Sequence, residues 1–155
     1  MGKFSRVVVA AGLIVVLAAA CGSSSKPDSN KPLSKAEYIK QADSICRTYG
    51  ERISSVVGSA GSGLTLEESK KIFNDKLIPL FRAEQDELRA LRPPKEDAAV
   101  LDRALVRMSS GINTIVGRVD AAESIEQLNE IKPTGIGDWR LAAGKYGMTV
   151  CGVKK

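Results

Sequence analysis

The stretch "AAVLDRALVRMSSGINTIVGRV", residues 98–119, decides the fold. Ala98, Leu101, Leu105, Met108, Ile112, Ile115 and Val119 follow one another at alternating steps of three and four. An α-helix turns once in 3.6 residues, so this spacing sets all seven side chains on one stripe. A stripe sustained over three turns and more is the seam of a left-handed helical bundle. Gly111, Asn113 and Gly117 interrupt the good helix formers. Small residues there either let a neighbouring helix approach closely or leave space for a ligand. Close packing is the reading adopted, because an internal void costs stability.

The flanking sequence repeats the helical period. Ser34-Lys35-Ala36-Glu37 is a capping box, in which a hydroxyl and a carboxylate each satisfy a backbone N–H that the helix leaves unpaired. Tyr38, Ala42, Ile45, Tyr49, Ile53 and Val56 then share one helical face, which ends at the glycine-rich run 58–63. That run lacks the Gly-Lys-Ser/Thr ending of a phosphate-binding loop and reads as a connector. A second capping box, Thr65-Leu66-Glu67-Glu68, opens the next helix, with Phe73, Leu77, Leu80, Phe81, Leu88 and Leu91 on its apolar side. Pro79 lacks an N–H and predicts a kink or two abutting helices, and Pro93-Pro94 stops the segment. Beyond residue 123, Ile125, Leu128 and Ile131 form a short turn, and Pro133-Thr134-Gly135 breaks the chain. Asp138 is the expected N-cap of a last helix from Trp139 to about Tyr146, with Gly147 after it. No stretch alternates apolar and polar residues over strand length. The expected fold is all-α, a bundle of about four helices over residues 34–155.

The region before the bundle has another character. Lys3 and Arg6 precede an unbroken apolar run, Val7–Ala20, of 14 residues. A bilayer span needs about 20, and a charged start, a short apolar run and small residues at its end describe a secretory signal peptide. An uncleaved anchor or a buried core helix are the alternatives, and the polar string that follows offers neither anything to pack against. Leu17-Ala18-Ala19-Ala20-Cys21 resembles a bacterial lipobox, although its leucine stands one position further from the cysteine than in the usual pattern. The resemblance implies that the Cys21 sulfur takes a diacylglyceryl group and that cleavage occurs just before it. Plain secretion with a free Cys21 thiol is the alternative. Gly22–Pro32 holds no apolar residue and cannot offset its own ordering entropy, so residues 21–33 read as a lipidated cysteine with a disordered tether.

Of three cysteines, Cys46 and Cys151 remain. Two buried thiols would also pack well, but a pair in an exported chain normally oxidises. A bridge would close a loop of about 105 residues and, on chain-entropy grounds, contribute about 4.7 kcal/mol. With these residues placed, a family resemblance emerges. The Tyr38–Cys46 segment with its Ala-Asp-x-x-Cys, the central Leu91-Arg92-Pro93-Pro94, and Gly147 with Cys151-Gly152 are similar to small actinobacterial secreted and lipid-anchored helical proteins. The resemblance implies a helical domain in the cell envelope and brings no catalytic residues with it.

Chemistry is sparse. The chain has no histidine, hence neither the commonest general base nor the commonest metal ligand. Its net charge is +5; setting aside Lys3 and Arg6 leaves 21 basic against 18 acidic residues, a well-mixed +3 that argues against nucleic acid. Ser69 and Lys70 are adjacent, so a helix points them apart. Glu84, Asp86 and Glu87 form a carboxylate cluster that reads as a solvated face rather than a metal or acid–base site. Asp43 is expected to pair with Lys40 or Arg47 rather than to act as a buried functional carboxylate, and Trp139 and Tyr146 to anchor the core near Cys151 rather than to line a pocket. No catalytic, cofactor or metal residue is assigned. The expectation is a non-enzymatic lipoprotein on the extracytoplasmic face of a cell membrane, held through Cys21, that binds an envelope protein or small ligand. A carrier of an apolar ligand beside Gly111 and Gly117 is the second reading, and a hydrolase without a recognisable motif the third.

Overall fold

The computed structural model describes residues 31–153; the expected signal peptide, Cys21 and most of the expected tether lie outside them. The described chain is all-α. Its helices are α1 (Lys35–Ser59), α2 (Leu66–Ile72), α3 (Ile78–Ala90), α4 (Lys95–Ala121), the short α5 (Ile125–Asn129) and α6 (Thr134–Tyr146). Both capping boxes form. The Ser34 hydroxyl accepts from the Glu37 backbone N–H at 3.3 Å while the Glu37 carboxylate accepts from the Ser34 backbone N–H at 3.0 Å, and Thr65 and Glu68 repeat the exchange. No helix among the described residues is long and apolar enough to cross a membrane.

The break expected at Pro79 takes the form of a π-helical turn, Phe73–Leu77, that joins α2 to α3. Proline offers no N–H to the carbonyl four residues earlier and its ring clashes there. The turn widens just before it, so that the Ile78 N–H reaches the Phe73 carbonyl instead.

Helix α4 is the spine. Leu101, Leu105, Met108, Ile112, Ile115 and Val119 are all buried, with Ala104 filling the stripe between them. Tyr38, Ala42, Cys46 and Tyr49 from α1, Leu88 from α3, and Trp139 and Ala143 from α6 close around it. Helix α6 lies against α4 at the most extensive helix contact of the fold. The glycines explain why the two can approach. A Cβ on Gly111 would stand 2.5 Å from the Gly135 Cα, and one on Gly135 would stand 2.4 Å from the Arg107 carbonyl oxygen.

That contact also corrects the expected start of α6. The helix begins at Thr134 rather than Trp139, so Asp138 lies inside it and caps nothing. Pro133 sits at the N-cap, where a missing N–H costs nothing, and its carbonyl accepts the first helical hydrogen bond from Gly137 at 2.9 Å. Gly135, which looks like a breaker in the sequence, is held in the helix by its seat on Gly111. At the other end Gly147, at φ +110°, takes the left-handed cap that ends the helix and turns the chain back toward α1.

Candidate functional site

The C-terminal loop after Gly147 is pinned to α1 by two devices one helical turn apart. Cys46 and Cys151 form a disulfide across a sequence separation of 105. Asp43, one turn before Cys46, accepts from the backbone N–H groups of Thr149 (2.9 Å), Val150 (2.9 Å) and Cys151 (3.0 Å), and from the Thr149 hydroxyl. Burial pushes the Asp43 carboxyl up, but the hydrogen bonds from Cys151, Thr149 and Val150 outweigh it and hold the group below its ordinary value. The partners of Asp43 are therefore distant backbone groups and not Lys40 or Arg47. The loop is seated on α6 as well, since Gly144 and Gly152 touch backbone to backbone: a Cβ on Gly152 would stand 2.4 Å from the Gly144 Cα.

Beneath this loop lies a cavity of about 30 Å³, lined by Cys46 of the disulfide, Glu84, Met108, Trp139, Arg140 and Val150 among others. Trp139 is a core residue, as expected, yet its indole N–H has no hydrogen-bond partner among the described residues. Burial pushes the Glu84 carboxyl up to about 7, with the Arg140 guanidinium opposing that rise.

The structure separates the carboxylates that the sequence groups. Glu84 turns to the cavity, Glu87 accepts from the Tyr49 hydroxyl at 2.7 Å, and Asp86 is exposed. Lys70 donates to the Asp120 carbonyl at the C-terminal end of α4 at 3.0 Å, and no hydrogen bond joins it to Ser69. Tyr146 donates to Asp97 at 2.6 Å, meets the Tyr38 ring edge-on at 5.9 Å and carries the Lys35 ammonium over its own ring. Beside Gly111 there is no space for a ligand, because Gly135 fills it, and Gly117 opens to the surface with nothing within 4 Å of a Cβ built there. Among the described residues, no three of His, Cys, Asp and Glu are grouped so as to hold a metal ion.

On the outer side of the α4–α6 pair runs an open groove of about 500 Å³. Leu141, Ala142 and the exposed Val100 supply apolar surface, while Arg107, Lys145 and Asp138 supply charge. Such a groove can seat an apolar group flanked by polar ones. No sequence pattern signals it, because the groove exists only where α6 packs beside α4.

No protein-family model matches the chain, and no curated protein or solved structure matches it either.

Proposed function

We propose that the chain is a bacterial lipoprotein whose helical domain, tethered to the outer face of a cell membrane through Cys21, is a binding module without catalytic activity. The observation that carries this reading is the cysteine count. The disulfide engages Cys46 and Cys151, so the one cysteine left over is Cys21, which stands at the end of an apolar run and before a polar string. A disulfide belongs to oxidising compartments, and two acyl chains hold a protein stably at a membrane where one chain is marginal. Binding is preferred to turnover because the chain holds no histidine and because Glu84, Asp86 and Glu87 face different surroundings. The α4–α6 groove, lined by both apolar and charged side chains, suits an envelope protein or small ligand.

Metabolic labelling with a fatty acid tests the anchor: the wild type takes label and Cys21→Ser does not, and equal labelling of both refutes the anchor. A photocrosslinker placed at Lys145 in intact cells tests the module. A discrete adduct supports binding, whereas hydrolysis of an ester or peptide that is lost on substitution of a serine would replace binding with catalysis.

A further inference from the structure

Trp139, whose indole N–H has no partner among the described residues, and Glu84 both line the cavity beneath the C-terminal loop. Trp139 is 1% exposed, and its indole N–H finds no acceptor among the described residues. Glu84 on α3 lines the same cavity, with the Arg140 guanidinium as its charged neighbour. Buried donors in folded proteins are paired with protein or with ordered water, and an orphan calls for an explanation. The cavity measures about 30 Å³, above the roughly 10–15 Å³ that one water requires.

We propose that this cavity is a binding site for a single water molecule, which accepts from the Trp139 Nε1–H and donates to a Glu84 carboxyl oxygen. The lining decides the class of ligand. An anion would meet the Glu84 carboxylate, and a cation would meet the Arg140 guanidinium and the positive end of the indole N–H. A neutral molecule able to accept on one side and donate on the other suits both walls. The water would link α3 to α6 directly under Val150 and Cys151, which line the same cavity.

The site responds to protons. The charged and titratable groups around Glu84 are Arg140 from α6, Tyr49 from α1, and Glu87 one turn along α3. Helix α4 presents Met108 to the cavity, and the loop 147–153 carries no ionisable side chain. Desolvation, only partly offset by Arg140, lifts the Glu84 carboxyl to about 7. Near neutral pH the water therefore faces a carboxylate that accepts its hydrogen or a carboxyl that competes to donate.

Trp139 is the one tryptophan of the chain, so the full chain labelled with ¹⁵N-tryptophan gives a single indole signal. The expected result is a cross-peak from a long-lived water to the indole proton, and an indole shift that moves with pH about a midpoint near 7. In Glu84→Gln the cross-peak remains and the pH movement disappears. No water cross-peak, or an indole shift indifferent to Glu84, overturns the proposal. If Glu84→Gln does not fold, Trp139→Phe serves instead, with the Glu84 carboxyl followed by ¹³C NMR: its midpoint shifts when the bridge is lost, and an unchanged midpoint overturns the proposal.

Discussion

The Asp43 carboxylate accepts the backbone N–H of Cys151 at 3.0 Å, although 108 residues separate them in sequence. With the N–H groups of Thr149 and Val150 it forms a cap for a loop that has no helix or strand of its own to satisfy them. Asp43→Asn keeps the size of the side chain but replaces one acceptor oxygen by an amide that meets donors. We expect a loss of about 2–4 kcal/mol, since buried N–H groups are left unpaired and a charge-assisted set is lost. Urea unfolding measures it, and an unchanged midpoint would show that the cap is dispensable.

The same carboxylate sets an acid limit. Its value in the fold lies below the ordinary one, so its contribution is fully present above about pH 4 and is lost as pH falls through the folded value. Unfolding followed from pH 5 down to pH 2 should therefore show a fall in stability for the wild type that is smaller in Asp43→Asn. Parallel curves would mean that other carboxylates carry the acid response.

The disulfide acts on the same loop by another route. Closing a loop of 105 residues restricts the unfolded chain, and removing it by Cys46→Ser with Cys151→Ser should cost about 2–5 kcal/mol. Because Asp43 still holds the loop, the double variant is expected to fold and to keep its helical circular dichroism. Adding Asp43→Asn should then cost more than it does in the oxidised protein, as expected for two pins on one segment. Strict additivity would show that the pins act independently.

The bundle was legible where one helix face carries the information. The alternating spacing of α4 announces its seam, both capping boxes form where they stand in the sequence, and the pairing of Cys46 with Cys151 follows from two cysteines left over. What was not legible depends on contacts between distant backbones. Asp43 has cationic neighbours one turn away, and nothing in the sequence signals that its partners are main-chain N–H groups at the far end of the chain. Gly135 and Asp138 look like a break and a cap because glycine lowers helix propensity and aspartate suits an N-cap. The seat of Gly135 on Gly111 overrides both signals. Gln85 is buried, its amide donating to the Leu105 carbonyl at 2.7 Å, a contact between helices that no spacing announces.

Glu84 gives the opposite pH response to Asp43. Its value is raised, so its contribution is fully present below about pH 4 and declines as pH rises toward about 7. Above that, a half-buried carboxylate is carried at a cost of about 1–2 kcal/mol once solvent screening is allowed for. Glu84→Gln resembles the protonated form and should exceed the wild type in stability at pH 8, and by a clearly smaller margin at pH 5. Thermal melts at the two pH values test the sign, and a constant difference would show that Glu84 does not titrate between them.

Gly111 and Gly117 lie on one helix six residues apart, and the same substitution should act in opposite directions on them. A methyl group on Gly111 would stand 2.5 Å from the Gly135 Cα, an obstacle of backbone that cannot rotate away. Gly111→Ala should therefore force α4 and α6 apart and cost about 1–3 kcal/mol or more, despite alanine's better helix propensity. Gly117 is exposed, with nothing within 4 Å of the added atom, so Gly117→Ala should stabilise by about 0.5–1 kcal/mol through propensity alone. The contrast isolates packing from propensity on one helix. Equal effects at the two sites would mean that the α4–α6 contact is looser than the glycine pair requires.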